Sequence, residues 1–392
     1  MNSGAKAPAE ILLISEARIP TVRLLEQILT RVAAQTGRTF ASRTMSEFHA
    51  EDLTERTIAV LARLDGPYAH GLARLMQHFG IAYTYYLDDN FWELSAATET
   101  GRYYRSREVQ DRLEDIIGGA HKVLVSTRAL QDYLERFGER VVQVDSFFDF
   151  SLIAELPAAP GARPFVRGGF ASSADRWVDL VPILPDLFGA LDAHPELEFE
   201  LIGLDYKSIP THPRLRCFPV FEDYESYVRF QLERQWDFAI APLGDLPSNQ
   251  YKTDNKYREY AAYGIPGIYQ ESRPYSSVRD GETGLLVGDG RRSWRDAIER
   301  YISDPELRAS VRINARRDVE RRQSIDVVIP NWVGEFTDSP EIGGQAGQLR
   351  RAWVIKRNRL LARAAAGILR REGPRATLRR ARRFVGKRLR RS

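Results

Sequence analysis

Three charged residues spaced four and then three apart, Lys252, Lys256 and Glu259, lie in the stretch NQYKTDNKYREYAAYGIPGIY, residues 249–269. On a helix this spacing stacks all three on one face. Two lysines at a helix entrance supply point charges for a diphosphate, and the helix's own positive end adds to them. One turn on, the Glu259 carboxylate accepts hydrogen bonds from neighbouring hydroxyls such as those of a ribose. The competing reading of the same stripe is a solvated face with a Lys256–Glu259 pair, worth only about a few tenths of a kcal/mol.

Other candidates divide the same way. Gly168-Gly169, after the strand-like FVRGGF, reads as a turn whose backbone N–H groups approach an anion closely, or as a simple turn. With the lysines it completes the outline of a nucleotide-sugar site. Asp88 and Asp89 are adjacent carboxylates at a strand end. They bind Mg²⁺ only if a diphosphate supplies further ligands. With lysines to hold the donor, a metal-independent site is the expectation, and the acids either contact an acceptor hydroxyl or cap the following turn. Tyr85, Tyr86, Phe91 and Trp92 stack on an acceptor sugar or belong to the core and its rim. The six histidines show no metal-ligand spacing. No Gly-x-Ser-x-Gly elbow, P-loop, Cys-x-x-Cys or dinucleotide fingerprint occurs, which argues against a dehydrogenase.

The elements that must position these residues follow an α/β grammar. The chain has 392 residues, 43% hydrophobic and 28% charged, more than one ordinary core holds. Strand-length apolar runs such as EILLIS, TIAVLARL, IAYTYYLDD and KVLVST alternate with segments of helical period, which predicts parallel sheets. The alternation breaks at LPAAPGARP, residues 156–164, and resumes with FVRGGFAS, EFELIG, WDFAIAPL and GIPGIY. The domains are therefore expected at 1–155 and 156–335, two Rossmann-like units facing a cleft. Ligands of such sheets bind outside the carboxyl ends of the strands, where Gly168-Gly169 and Lys252 fall.

The run WDFAIAPLGDLPSNQYKTDNKYREYAAYGIPGIYQESRPYSSVRDGETGLLV, followed by Trp294 and ISDPELR, resembles the donor domain of GT-B glycosyltransferases of the retaining family 4 type, as in bacterial surface-polysaccharide assembly. YLDDNFWEL and GGAHKVLVST are similar to parts of that family's acceptor domain. The likeness covers roughly residues 55–335. It implies an enzyme of the hexosyltransferase type (EC 2.4), with a nucleotide-diphosphate sugar as co-substrate and no resident cofactor. It also implies that Glu259 holds the donor ribose, that Lys252 and Lys256 face the diphosphate, and that Pro274, Tyr275 and Ser276 form a loop on the phosphate or sugar. Gly168 and Gly169 would line the other side. Two departures stand out: Tyr251 occupies the position of a second glutamate in many relatives, and Arg176 is the substitute for their Arg…Lys pair. A catalytically degenerate GT-B scaffold is the alternative these departures leave open.

The net charge of +4 conceals a division: residues 350–391 hold 17 Lys and Arg against Glu372, and the remaining chain holds 40 basic and 52 acidic residues. In the tail, residues 345–392, Trp353, Val354, Leu360, Leu361, Ala364, Ala365 and Ile368 share a broad helical face. Beyond Gly373-Pro374, Leu378, Ala381, Val385 and Leu389 repeat at three and four. Residues 349–391 therefore read as an amphipathic helical tail for an anionic membrane surface, with a partner protein or a disordered arm as alternatives. Nucleic acid is not expected, because stacking aromatics are missing from the basic stripe. One cysteine, Cys217, fits a reducing compartment, and the first apolar run reads as a strand, not a signal peptide. The expectation is a cytoplasmic enzyme, peripheral at the inner membrane face, extending a glycan or lipid-linked glycan acceptor.

Overall fold

A computed structural model describes residues 9–153, 157–159, 161, 163–173, 176–203, 209–221 and 223–372, with side chains as far as residue 366. The first half runs β1 (Glu10–Ser15), α1 (Pro20–Gln35), β2 (Thr39–Thr44), β3 (Thr57–Ala62), α2 (Pro67–His78), β4 (Thr84–Leu87), α3 (Glu99–Tyr104), α4 (Arg107–Gly118), β5 (Lys122–Val125), α5 (Arg128–Tyr133) and β6 (Val141–Gln143). The strands form one parallel sheet in the order β2-β1-β3-β4-β5-β6. β3 is buried at every position because helices cover both faces, which is why it reads as an unbroken apolar run. α1 opens at Pro20, whose fixed φ suits a first helical turn, and buries Val22, Leu25, Ile28, Leu29 and Val32 at three- and four-residue spacing.

The second half repeats the plan with β7 (Val166–Ala171), α6 (Trp177–Leu180), α7 (Leu184–Ala193), β8 (Leu197–Ile202), β9 (Leu215–Phe218), α8 (Tyr224–Arg234), β10 (Phe238–Ala241), α9 (Asn255–Tyr263), β11 (Gly267–Gln270), β12 (Leu285–Val287), α10 (Trp294–Ser303) and α11 (Pro305–Gln323). Its sheet is also parallel, in the order β12-β11-β10-β7-β8-β9. The α/β class with two Rossmann-like sheets is thus the observed architecture. The helical segment after β7 is split, because Pro182 and Pro185 force a 3-10 turn at Val181–Ile183 between α6 and α7.

The chain then crosses back. α12 (Ile325–Thr337), grouped with the second domain by the boundary at 335, buries Ile325, Val328, Ile329, Trp332 and Phe336 in the core between α1 and the first sheet. Trp332 Nε1 donates to the Asp145 carbonyl at 2.9 Å, and Lys122 pairs with Glu335 at 2.8 Å. α13 (Ala346–Glu372) continues on the first domain against α2, with Ala346, Leu349 and Trp353 buried and the Trp353 ring 5.9 Å from Phe48. This corrects the amphipathic face drawn for the tail: Trp353 is a core residue, while Val354 and Ile355 are exposed. Leu378, Ala381, Val385 and Leu389 lie outside the described residues. Among the described residues no helix is long and apolar enough to cross a membrane.

Candidate active site

Each sheet has a strand whose flanking neighbours are reached by chain running in opposite directions. In the first sheet β1 lies between β2 and β3; in the second β7 lies between β8 and β10. The crevices at the carboxyl ends of these strands are where such sheets take ligands. Beside β7, Asp179 is buried and its Oδ1 accepts from Gly244 N and from Asn249 Nδ2, both at 2.8 Å. Arg176 closes this network, 2.9 Å from the Asp179 carboxylate and donating to Asn249 Oδ1 at 3.1 Å. The loop after β10 is thereby tied to the segment after β7. Asp179 and Asn249 were not singled out in the sequence.

α9 begins at Asn255, with Asp254 in the N-cap position. Lys252 is extended (φ −71°, ψ 154°) at the end of a 3-10 turn over Pro247–Tyr251. The single helical stripe expected for Lys252, Lys256 and Glu259 is therefore not formed. The cause is Asp254, whose carboxylate is held by Arg258 at 3.1 Å and by Gln323 at 2.7 Å, so the helix starts behind it. Lys256 and Glu259 do share α9, Nζ to Oε2 at 3.1 Å. Glu259 is 7% exposed, with the Tyr227 hydroxyl beside it. Burial first, and the Glu259 charge second, push the hydroxyls of Tyr224 and Tyr227 upward, so both stay protonated near the carboxylate.

Lys252 instead spans the cleft to the first domain, with Nζ 2.9 Å from Asp89 Oδ1. Asp88 accepts from Thr21 Oγ1 at 2.7 Å and pairs with Arg63, whose guanidinium also lies 3.8 Å from Asp89. Burial alone would raise the Asp89 carboxyl, but the charges of Lys252 and Arg63 outweigh it and hold Asp89 below the usual aspartate range. Arg63 has φ +52°, a conformation uncommon outside glycine, and its guanidinium lies 4.8 Å from the Phe91 ring centroid. It follows β3 directly and was read only as part of a strand. The neighbouring Tyr251 ring packs edge-on against Tyr133 at 5.2 Å, and the Tyr251 carbonyl accepts from Thr127 Oγ1 at 3.0 Å. The position of the absent glutamate thus serves as a contact between the domains.

Gly168 and Gly169 are not in a turn. They pair inside β7 with β8 and β10, and a Cβ on Gly168 would fall 2.6 Å from the Phe199 and Phe238 rings. On Gly169 it would fall 2.0 Å from the Trp236 ring. The missing side chains make room for aromatic packing, not for an anion. Tyr275 is buried with its ring 5.0 Å from Tyr269, Pro274 is half-buried and Ser276 is exposed. Their segment packs beside Pro247–Tyr251, hence beside Lys252. Tyr85, Tyr86 and Phe91 are core residues, the Tyr85 hydroxyl donating to the Leu64 carbonyl at 3.0 Å, and Trp92 is half-buried beside Tyr133. The structure thus brings together Lys252, Lys256, Glu259, Arg176 and the 274–276 turn with Asp88 and Asp89, and leaves the glycine pair apart. Among the described residues no group of three His, Cys, Asp or Glu side chains is arranged to hold a metal ion.

No protein-family model and no curated protein sequence matches the chain. Solved structures do. HepE of Anabaena in complex with UDP and glucose superposes with a TM-score of 0.59 at 13% identity, over 84% of this chain and 99% of that one. Sucrose-phosphate synthase from Thermosynechococcus elongatus gives 0.59 at 13% identity, over 84% and 98%. A glycosyltransferase from Rickettsia africae gives 0.54 at 12%, over 84% and 98%. At these identities the likeness establishes the fold: two facing parallel-sheet domains arranged as in these proteins.

Proposed function

We propose that the protein is a glycosyltransferase that moves a sugar from a nucleotide-diphosphate sugar to a glycan or lipid-linked glycan acceptor. One observation carries this reading: Lys252 meets Asp89 across the cleft, beside the Lys256–Glu259 pair at the entrance of α9. Cations at one lip and carboxylates at the other are what transfer from a diphosphate leaving group to a hydroxyl requires. Lys252 and Lys256 neutralise the leaving diphosphate once Lys252 exchanges Asp89 for it, and fixed charge at a leaving group is a large catalytic term. Glu259, buried and held by Lys256, accepts the ribose hydroxyls. Arg176 adds a third cation on the same side. HepE was solved with UDP, so UDP is the first nucleotide to test.

Retention of configuration, independence of metal and a place in bacterial surface-polysaccharide synthesis belong to this proposal through the sequence resemblance. So does a cytoplasmic site at the inner membrane face. There the exposed Val354 and Ile355 and the basic residues around them lie on an anionic surface, at about 1 kcal/mol per basic residue. The test is thermal stabilisation across UDP, GDP, dTDP and CDP, with and without Mg²⁺, in the wild type and in Glu259→Ala. Stabilisation by one nucleotide, lost in the variant, supports the donor site. No stabilisation by any of them favours the second reading, a scaffold without turnover. Two observations speak for that reading: Lys252 is already charge-paired, and Tyr251 is spent on packing against Tyr133.

A further inference from the structure

The geometry points to the crevice between β1 and β3 as an acceptor subsite that takes a neutral or amine-bearing sugar ring and rejects one carrying a phosphate or carboxylate. The inference deepens the donor reading above and rests on it for the word acceptor; the pocket and its charge stand independently. A cavity of about 360 Å³ opens at the carboxyl ends of these strands, bounded by Ser15 and Glu16 after β1, by Arg63 and Asp65 after β3, and by Tyr103 and Tyr104 of α3. That is the size of a small-molecule site at the place in a doubly wound sheet where ligands bind.

Its walls are held in place. Asp65 is 5% exposed, and its two oxygens accept from the Tyr103 hydroxyl at 2.6 Å and the Tyr104 hydroxyl at 2.7 Å. The Tyr104 ring stacks on Phe91 at 4.1 Å, with planes within 5°. These rings give the apolar face of a pyranose something to lie on, and the carboxylates accept its hydroxyls. Glu16 Oε1 accepts from Gly66 N at 3.2 Å, an approach that a Cβ at Gly66, 2.6 Å from that oxygen, would block.

The charge of the pocket decides the ligand class. Arg63 lines it, yet its guanidinium is turned to Asp88 and Asp89. Arg112 donates to the Asp65 carbonyl, and its guanidinium is matched by Glu108 at 2.6 Å. Glu16 and Asp65 therefore set the local sign. Desolvation first, and the Asp65 charge second, push the Glu16 carboxyl upward against the hydrogen bond from the Gly66 amide. A phosphate brought into this field meets like charge. Through Arg63 the pocket adjoins Asp88 and Asp89, and so Lys252, which places a bound ring next to the donor side of the cleft.

Saturation-transfer NMR on the full chain with UDP present tests this, with methyl glucoside, glucosamine and glucose 6-phosphate as probes at equal concentration. Saturation of the first two and not of the phosphate is expected. In Glu16→Lys, at an exposed position on the pocket rim, the preference for neutral over phosphorylated sugar should move about tenfold toward the phosphate. Equal binding of glucose 6-phosphate by the wild type, an unchanged ranking in Glu16→Lys, or no sugar contact at all overturns the inference. The UDP signals in the same tube report on the donor reading separately. Sugar contacts without UDP contacts leave the pocket standing and remove the donor site.

Discussion

The two crevices occupy equivalent places in two similar sheets, yet their chemistry is opposite. Beside β7 Arg176, Lys252 and Lys256 approach, with Asp179 and Glu259 as local partners; on the first-domain side stand Glu16, Asp65, Asp88 and Asp89, with Arg63 as theirs. The strands that build them differ little in kind, being short, parallel and apolar. What differs is the few residues just after each strand, where the backbone no longer has ladder partners to satisfy and side chains are free to carry function. The Lys252–Asp89 pair is where the two signs meet.

Removing charge from the cationic crevice should have the largest effect. On the proposed reading Glu259→Ala and Lys252→Ala each lower transfer by about 10²–10³-fold, the scale of losing one preorganised group at a developing charge. The melting temperature without nucleotide should stay near that of the wild type for Lys252→Ala, whose side chain is 21% exposed. Near-normal turnover in both variants would sink the reading. Next in size is a test that separates the crevice from the strand beneath it. Gly169→Ala drives a methyl into Trp236 and should cost about 1–3 kcal/mol by urea unfolding. Nucleotide affinity of the folded fraction should remain within about twofold. A stable variant without nucleotide binding would return the glycine pair to the site.

These three variants also mark what a sequence can disclose. The alternation of buried strand and amphipathic helix was plain because parallel strands covered on both faces are nearly all apolar, as at β1 and β3. β2 and β9 gave no such signal: both are edge strands, and TFASRT and LRCF are largely half-exposed. Lys256 and Glu259 were legible because a helix fixes the relation of i and i+3. Lys252 was not, because only the tertiary holds on Asp254 decide where α9 starts. Gly168-Gly169 shows the converse error. A glycine pair was assigned to a turn through its backbone freedom, whereas its use here is the space it leaves for Trp236, a contact 67 residues away in the chain. Arg63 and the pocket beyond it lay behind the same barrier, since nothing local says that the residue after β3 turns left-handed.

The junction between the crevices can be probed without touching the donor residues. In Asp89→Asn the charge of Lys252 is released, and UDP should bind several-fold tighter by calorimetry, since no carboxylate then competes with the diphosphate. Tighter binding with slower turnover assigns Asp89 to the acceptor side of the reaction. Weaker binding would mean that the pair shapes the cleft for the donor instead of competing with it.

The smallest effect is the pH dependence of that pair, and its sign follows from Asp89. The folded protein holds this carboxyl below its ordinary value of 3.8, so the pair stabilises the structure above that value. The contribution fades as pH falls from about 3.8 through the lower folded value, where the unfolded chain binds the proton more readily than the native one. Asp89→Asn lacks the group altogether. The stability difference between wild type and Asp89→Asn, from urea titrations at matched pH, should therefore stay level from neutrality down to about pH 4 and shrink below it. Both partners are about one-fifth exposed, so the difference should be modest, below about 1 kcal/mol, and should fall further with added salt. A difference that grows on acidification would show that Asp89 is a strained, repelled carboxylate, and that the two crevices are held together by Tyr251 and Thr127 rather than by their opposite charges.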